Sequence, residues 1–390
     1  MKNILIVTNE CYKSKSANGF CLENVINELR KHKQINIDIV TYYKKNEIER
    51  RFCNVEVHYV KNCLFERKNC ITDIICKVVN KIVYETISPD INILYYFRTK
   101  KKLQELCKKK KYCAVITSSG GYMAQLMGLF LKERYGTAWI TYFLDPPIKH
   151  NFLYKKNKLY YKKSLRLEEN VFDKSDKIIL ETSLYKAMKN TKFREKMVKT
   201  GLPLIVDRRI EHTKNSNKET IDILFIGTLW KDIRNPRYAV ELLSSIPNVQ
   251  VDFYGGQQTE SVLEEYVSEK IRYCGELEHD QISECIKKYD YLLNISNVNC
   301  VQTPSKLFEY ISYLKPIINI VKDSKDITKE IVASYGNGIS LIENDTENND
   351  LIKKYFNSEK KPISCKQIED IFEINTPRYT AQIIHNFINE

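Results

Sequence analysis

Short apolar runs rich in β-branched residues alternate along the chain with stretches whose apolar residues recur every three or four positions. The first pattern is typical of buried strands and the second of helices, and their alternation predicts βαβ units with parallel sheets. In the first half the predicted strands are Ile4–Val7, Ile37–Thr41, Val55–Tyr59, Ala114–Thr117, Trp139–Phe143 and Lys177–Leu180, and the predicted helices are Cys21–Lys31, Tyr95–Lys110, Met123–Glu133 and Tyr154–Val171. In the second half the strands are Asp222–Ile226, Val249–Tyr254, Ile271–Tyr273, Tyr291–Ile295 and Ile317–Val321, and the helices are Pro236–Leu243, Ser261–Ser268, Gln281–Lys288, Pro304–Leu314 and Arg378–Ile388.

The alternation is interrupted near residue 200. The sequence Gly201-Leu202-Pro203 breaks the pattern, a polar stretch covers 212–218, and a new strand pattern follows. Gly, Pro and clustered polar residues mark loops, so this interruption predicts a linker. We therefore expect two α/β domains, at 1–205 and 206–375, and a last helix within 376–390 that could pack on either of them.

Charge divides the chain at the same joint. Residues 1–200 carry a net charge of +20 and residues 201–390 a net charge of −7, within a total of +13. A basic domain with Lys- and Tyr-rich helices, at 98–111 and 154–163, favours an anionic membrane surface as its partner. A Lys-rich surface that only keeps the protein soluble is the plainer alternative. Nucleic acid is not expected, because the sequence contains no nucleic-acid-binding signature.

Composition points to a globular protein. The chain has 390 residues, of which 43% are apolar and 28% are charged. The 12 Cys form no Cys-x-x-Cys pair and the 6 His are scattered, so we expect reduced thiols, no structural metal and a cytoplasmic location. The first apolar run is too short for a signal peptide, and the longest uncharged stretch, Tyr112–Leu131, has a polar centre, so no membrane-spanning helix is expected.

The first candidate for chemistry is the segment TPSKLFEY at 303–310. Thr303 can cap a helix whose first amide groups would then face an anion such as a phosphate, and Lys306 adds a positive charge there. Glu309 lies three residues after Lys306, on the same helical face, where a carboxylate can accept hydrogen bonds from both ribose hydroxyls. The segment follows a predicted strand, and this edge of an open α/β sheet is where ligands bind. The alternative is an exposed Lys306–Glu309 pair that stabilises the helix only slightly.

The second candidate is the segment IGTLWKDIRNP at 226–236, between the first strand of the second domain and the next helix. Gly227 permits close approach of a ligand to the backbone, and Arg234 could hold a diphosphate oxygen. Asn235 and Pro236 are suited to the helix start. The alternative is a plain connection with a solvent-exposed arginine. The segment matches neither the dinucleotide-binding nor the P-loop pattern.

Three segments in order, IGTLWKDIRNP (226–236), CGELEHDQISECIKKYDYLLNIS (274–296) and TPSKLFEYISYLKPII (303–318), resemble the donor-binding domain of GT-B glycosyltransferases, closest to the large retaining family 4. The resemblance covers roughly 220–335 well. The first half matches only in outline, through its first strand, the Ser16–Gly19 loop and the YFLDPP segment. It implies an α/β fold of GT-B type, with two Rossmann-like domains and a donor cleft between them.

The resemblance also implies roles for individual residues. Arg234 and Lys306 would clamp the donor diphosphate, Glu309 would hold the ribose, and the loop at Gly19 would approach the phosphates. One position departs from the family, since Val301 stands where many members have a glutamate that contacts the sugar. Taken with the two anion sites, the expected donor-binding residues are Gly19, Gly227, Thr228, Arg234, Gly275, Glu276, Leu277, Thr303, Ser305, Lys306, Leu307 and Glu309.

We therefore expect a glycosyltransferase that uses a nucleotide-diphosphate sugar, with UDP the most common choice and retention of configuration following the family. Fixed cations and helix amides can stabilise the departing diphosphate. No Asp-x-Asp occurs in the sequence, so neither a metal nor another cofactor is expected. Asp145, after a predicted strand, is the candidate to orient or deprotonate the acceptor hydroxyl, and capping the next segment is the alternative role. Arg234, Lys306 and Asp145 are thus the candidate catalytic residues.

The expected acceptor is a saccharide or a lipid-linked saccharide of a bacterial surface polysaccharide, reached from the inner face of the cell membrane. Three alternatives remain open. The chain could be a sugar-nucleotide epimerase or a phosphorylase of the same fold, although the sequence has no evident His or Glu cluster to serve an epimerase. It could instead be a catalytically inactive GT-B subunit that serves as a scaffold.

Overall fold

The computed structural model describes residues 1–8, 16–41, 55–60, 93–118, 122–145, 158–188, 190–208, 219–297, 305–360 and 362–390. These residues divide into two compact units. The first unit comprises Met1–Pro203 together with Pro377–Glu390, and the second comprises Leu204–Thr376. Each unit is an α/β layer structure with its own parallel sheet.

The first unit contains, within its described residues, a seven-stranded parallel sheet with the order β3-β2-β1-β4-β5-β6-β7. The strands are β1 Lys2–Val7, β2 Ile35–Thr41, β3 Val55–Tyr59, β4 Ala114–Ser118, β5 Ala138–Phe143, β6 Lys177–Glu181 and β7 Met197–Thr200. The helices are α1 Ala17–Leu29, α2 Ile93–Lys109, α3 Tyr122–Tyr135, α4 Lys158–Lys174, α5 Thr182–Ala187 and, at the end of the chain, α13 Pro377–Asn389. The central strands are apolar on both faces because helices cover both sides of such a sheet.

The second unit contains a six-stranded parallel sheet with the order β10-β9-β8-β11-β12-β13 in the part of the chain that the structure describes. Its strands are β8 Ile221–Ile226, β9 Val249–Tyr254, β10 Ile271–Tyr273, β11 Tyr291–Ile295, β12 Ile317–Val321 and β13 Gly338–Ile342. Its helices are α6 Arg237–Ser244, α7 Gln257–Leu263, α8 His279–Lys287, α9 Ser305–Ser312, α10 Ile327–Tyr335, α11 Asn348–Asn357 and α12 Cys365–Ile371. The strand order reverses direction between β8 and β11, which is where open α/β sheets bind ligands.

Several helices differ from their predicted bounds, and two of them begin four residues earlier than predicted within the described residues. The Ser16–Gly19 segment was expected as a loop, but α1 starts at Ala17 and Ser16 is its N-cap, accepting a hydrogen bond from the amide of Gly19 at 3.1 Å. The helix predicted at 261–268 instead spans Gln257–Leu263, because it begins directly after the glycine pair that ends β9. Strands β7 and β13 were not predicted at all.

The last helix belongs to the first unit. Of the two packing options left open by the sequence, α13 packs against α1, and the Lys2 ammonium donates a hydrogen bond to the carbonyl of Ile388 at 2.7 Å. The second unit, Leu204–Thr376, begins two residues before the predicted domain start at 206. No helix among the described residues combines the length and the apolar character that crossing a membrane requires.

Candidate functional site

Three glycines bring together the carboxyl ends of β8, β9 and β10. The amide of Gly255 donates to the carbonyl of Gly275 at 2.9 Å, and a Cβ added at Gly255 would lie only 2.3 Å from the carbonyl oxygen of Gly227. Gly275 has a φ of +87°, a conformation that suits glycine. The hydroxyl of Thr259 donates to the Gly227 carbonyl at 2.9 Å. The three strand ends therefore form one closely packed backbone surface.

Arg234 lies beside this surface on a tight turn. The amide of Arg234 donates to the carbonyl of Trp230 at 2.9 Å, and the guanidinium donates to the side chain of Asn297 at 2.9 Å and to the carbonyl of Thr228 at 3.4 Å. A Cβ at Gly227 would lie 3.5 Å from the guanidinium. The structure thus brings together Gly227, Thr228 and Arg234. Asn297, which aims the guanidinium, was not predicted.

Helix α9 carries the other predicted donor residues. Leu307 is fully buried in the core, so only its backbone is available to a ligand. The Lys306 ammonium lies 2.6 Å from a carboxylate oxygen of Glu309. The Glu309 side chain is only 8% exposed, so the exposed pair considered as an alternative is not what the structure contains. Ser305 is the first residue of the helix, while Thr303 and Val301 lie outside the described residues.

Tyr310 joins α9 to the strand that leads to Gly227. Its hydroxyl accepts a hydrogen bond from the amide of Ile226 at 2.8 Å and lies 3.2 Å from the carbonyl of the same residue. Burial raises the pKa of Tyr310, so the hydroxyl stays protonated and can donate to this carbonyl. Glu309 therefore stands on a helix that is fixed against β8, next to the turn that carries Arg234.

Arg208 is a further cation at this site, and no sequence pattern predicts it. Its guanidinium donates to the hydroxyl of Tyr313 at 2.8 Å, stacks on that ring with 4.7 Å to the ring centre, and lies 3.9 Å from the second carboxylate oxygen of Glu309. The side chain is 16% exposed. The residue belongs to an irregular segment just after the predicted linker break, where no periodic pattern marks it.

Gly275, Glu276 and Leu277 follow β10 as predicted, at the same sheet edge. The Glu276 side chain is exposed, and its carboxylate would lie 3.7 Å from a Cβ at Gly256. Leu277 is half-buried. These residues therefore border the glycine surface from the side of the edge strand.

In the first unit, Asp145 and the start of α1 lie together. The side-chain amide of Asn18 donates to the carboxylate of Asp145 at 2.6 Å, and Asn18 directly precedes the buried Gly19. The two predicted residues of this unit, Asp145 and Gly19, thus meet where β5 ends and α1 begins. The neighbouring segments at 119–121 and 146–157 lie outside the described residues.

A group of potential metal ligands occurs at Asp38, Glu56 and His58, whose ligand atoms lie within 4.8 Å of one another. The Lys110 ammonium lies 3.1 Å from both Asp38 oxygens and 2.7 Å from Glu56. Burial alone would raise the pKa of Asp38, but hydrogen bonds from His58 and Tyr112 and the Lys110 charge outweigh it and lower the pKa to about 2. The Lys110 ammonium already pairs with both carboxylates, so we interpret the cluster as a structural ion network.

No protein-family model matches the sequence, and no curated protein matches it. Several solved structures are similar to it over nearly their whole length. A glycosyltransferase from Rickettsia africae has a TM-score of 0.62 at 12% identity and covers 99% of this chain and 98% of its own. HepE from Anabaena, solved in complex with UDP-glucose, has a TM-score of 0.59 at 10% identity, covering 97% and 94%.

A UDP-GlcNAc 2-epimerase from Methanocaldococcus jannaschii is similar to the same degree, with a TM-score of 0.60 at 12% identity over 99% of this chain and 100% of its own. Identities this low establish a shared fold and nothing finer. The chain has the GT-B fold, with two Rossmann-like domains. This confirms the predicted fold class, and the fold itself is used by transferases and by an epimerase.

Proposed function

We propose that the protein is a glycosyltransferase that binds a nucleotide-diphosphate sugar, with UDP as the nucleotide, on its second unit. The observation that carries the proposal is the buried Glu309 carboxylate on α9, flanked by the Lys306 and Arg208 cations, on a helix fixed by Tyr310 next to the Arg234 turn. A carboxylate can accept from two ribose hydroxyls while cations hold phosphates. HepE, which has the same fold, was solved with UDP-glucose.

The chemistry of this site is stabilisation of a leaving group. When the bond between sugar and phosphate breaks, the diphosphate gains negative charge, and fixed cations that are already in place stabilise it. Arg234 and Lys306 are the residues proposed for this role. Because the sequence contains no Asp-x-Asp, we propose that these cations take the place of a metal ion. Retention of anomeric configuration is proposed by analogy with family 4.

Asp145 is proposed to orient or deprotonate the acceptor hydroxyl. The acceptor would be a saccharide or a lipid-linked saccharide of a surface polysaccharide. Asn18 holds one carboxylate oxygen at 2.6 Å, which fixes the orientation of the group. An Asp145→Asn variant should bind the nucleotide as wild type does and transfer sugar at least about 100-fold more slowly. Loss of nucleotide binding in this variant would contradict the assigned role.

We further propose that the first unit contacts an anionic membrane, at the cytoplasmic face, through α2. Phe97 on this helix is 59% exposed and is surrounded in sequence by Arg98 and several lysines. Sedimentation with phosphatidylglycerol vesicles should fall in a Lys101→Glu, Lys108→Glu variant. The matched control is Lys353→Glu, Lys354→Glu on α11 of the second unit, which should sediment as wild type does. Equal sedimentation of both variants would contradict the proposal.

The test of the main proposal is calorimetric titration of UDP, GDP, CDP and ADP into the wild-type protein, with and without EDTA. We expect one nucleotide, UDP, to bind, and EDTA to leave its affinity unchanged. If no nucleotide binds to the folded protein, the donor site is wrong and a scaffold role takes its place.

A second experiment with the wild-type protein distinguishes a transferase from an epimerase. UDP-sugars are incubated with the protein and no acceptor, and the products are followed by NMR. A transferase leaves the sugar configuration at C2 unchanged or slowly releases the sugar. Interconversion of two UDP-sugars that differ at C2 would establish the epimerase alternative instead.

A further inference from the structure

Among the described residues, Glu309 has a cation next to each of its two carboxylate oxygens. Lys306 lies 2.6 Å from one carboxylate oxygen, while Arg208 lies 3.9 Å from the other. The first contact is a close ion pair, and the second is beyond hydrogen-bond distance. Both side chains are largely withdrawn from water, with 27% and 16% of their surfaces exposed. A single carboxylate therefore has one engaged cation and one within reach.

In the proposed function, Lys306 interacts both with Glu309 and with the diphosphate. Its ammonium neutralises Glu309 in the structure, and the proposal also requires it at the diphosphate. A diphosphate carries more negative charge than a carboxylate, so a bound nucleotide attracts the ammonium away from Glu309. A carboxylate that is 8% exposed and loses its cation pays a large desolvation cost unless another cation takes over.

Arg208 is held where it can take over. Its guanidinium donates to the Tyr313 hydroxyl at 2.8 Å and stacks on the Tyr313 ring, and that hydroxyl lies 3.1 Å from the hydroxyl of Ser283. The Arg208 Nε is buried and has no hydrogen-bond acceptor within reach among the described residues. The orientation of the guanidinium is thus fixed by Tyr313, while its Nε–H makes no hydrogen bond among the described residues.

The backbone that carries Arg208 is tied to the same helix. The hydroxyl of Ser312, at the end of α9, donates to the carbonyl of Leu204 at 2.8 Å and accepts from the amide of Val206 at 3.3 Å. The segment that carries Arg208 is therefore hydrogen-bonded to the end of the helix that carries Glu309.

We infer that Arg208 is a positioning residue that holds the Glu309 carboxylate for the ribose hydroxyls while Lys306 is engaged with the diphosphate. The inference rests on the proposed function and deepens it. Arg208 touches neither phosphate nor ribose. It acts only through Glu309, so its removal weakens recognition of the ribose more than it weakens recognition of the phosphates.

The test compares three ligands, UDP, 2′-deoxy-UDP and UMP, by calorimetry in wild type and Arg208→Gln. Wild type should prefer UDP over 2′-deoxy-UDP by about 10- to 100-fold, the range for a hydrogen bond to a charged group. In Arg208→Gln this ratio should fall to about 3 or less, because Glu309 is no longer held. The ratio of UDP to UMP affinity should change less than the ribose ratio does, because Arg208 influences the phosphates only indirectly, through Glu309 and Lys306. Arg208→Lys, which keeps the charge, should restore part of the ribose preference.

Two results would overturn the inference. If Arg208→Gln keeps the wild-type preference for the 2′-hydroxyl, Arg208 does not position Glu309. If the UDP-to-UMP ratio falls more than the ribose ratio does, Arg208 binds phosphate directly. A Tyr313→Phe variant, which removes only the hydroxyl that fixes Arg208, should show a smaller fall in the same ribose ratio and serves if Arg208→Gln does not fold. Wild type that binds no UDP would refute the proposed function itself, a result distinct from both.

Discussion

Adjacent glycines after β9 face very different surroundings. A Cβ at Gly255 would lie 2.3 Å from the Gly227 carbonyl oxygen and 2.4 Å from the Thr259 hydroxyl, whereas the nearest atom to a Cβ at Gly256 lies at 3.7 Å. We expect Gly255→Ala to destabilise the protein by about 3 kcal/mol, since backbone must move. Gly256→Ala should cost about 1 kcal/mol or less, the loss of a glycine N-cap.

The free energy of unfolding of these two variants, measured in guanidinium chloride, tests the close approach of the strand ends. Equal destabilisation by the two substitutions would contradict the packing of β8 against β9. Gly255→Ala should in addition weaken UDP binding, because the carbonyl that it displaces belongs to Gly227, beside Arg234.

Asp38 links stability to pH through its ion network. Its pKa is lowered from 3.8 to about 2, so its contribution is present above about pH 4 and is lost as the pH falls towards 2. The shift corresponds to about 2 kcal/mol. Between pH 4.5 and 2.5, urea unfolding should show a decrease in stability for Asp38→Asn that is about 1.5 kcal/mol smaller than the decrease for wild type.

The control for this measurement is Asp232→Asn, at an exposed position in the second unit. It should retain the wild-type slope of stability against pH. If Asp38→Asn also retains that slope, the ion network does not hold in solution.

At the residue scale, the sequence predicts the charged residues of the proposed donor site but not the side chains that hold them in place. Lys306, Glu309 and Arg234 were predicted because their spacing from helix starts has a chemical reason. Arg208 and Asn297 were not, since each acts through a contact between segments far apart in sequence. Such contacts depend on tertiary packing, which no local pattern encodes.

At the scale of elements, strands were predicted better than helix ends. The predicted bounds of β3, β9, β10, β11 and β12 agree with the structure, because buried parallel strands are apolar runs with polar borders. The predicted start of helix α1, Cys21, lies four residues after the observed start, Ala17, because the first turn of the helix, Ala-Asn-Gly, is typical of a loop. The Ser16 cap overrides this composition. Strand β13 was missed because its residues are mostly half-buried at the sheet edge.

The packing of α13 on the end of α1 contains a titratable contact. His385 stacks on His32 with ring centres 4.2 Å apart, and Lys2 lies at the same place, bound to Ile388 and Asn389. Burial lowers the pKa of His385 below 6.5, and the charges of His32 and Lys2 lower it further. The neutral ring therefore stabilises the folded protein above pH 6.5, and this contribution is lost as the pH falls below that value.

Substitution of His385 by Phe keeps the stacked ring and removes its proton. Thermal unfolding between pH 7.5 and 5.5 should show a smaller decrease in stability for His385→Phe than for wild type. An identical decrease in the two proteins would mean that this pair of helices does not respond to pH.

At the scale of the whole molecule, the end of the chain completes the first unit. Helix α13 buries Ala381, Ile384 and Ile388 against that unit, although it follows the second unit in sequence. Deletion of 377–390 should therefore raise hydrogen exchange in β1 and α1 by at least about tenfold. The strands of the second unit should exchange as in the full chain, and faster exchange in β8 or β11 would contradict the division.

The GT-B fold was predicted from three segments of the second half, and the structure confirms it over both units. The fold does not determine the substrate class, because transferases and an epimerase share it. The substrate class depends on the residues of the site. The central claim is that Lys306 and Glu309 bind a nucleotide, rather than merely stabilise a helix.

The chain offers a matched control for this claim, since Glu284 and Lys287 on α8 form a pair with the same 2.6 Å contact and three-residue spacing. The deciding measurement is calorimetric titration of UDP into Lys306→Ala, Glu309→Ala, Lys287→Ala and Glu284→Ala. Both α9 variants should lose at least about tenfold in affinity, while both α8 variants should bind as wild type does. Equal affinity in all four variants would contradict a nucleotide-binding role for Lys306 and Glu309.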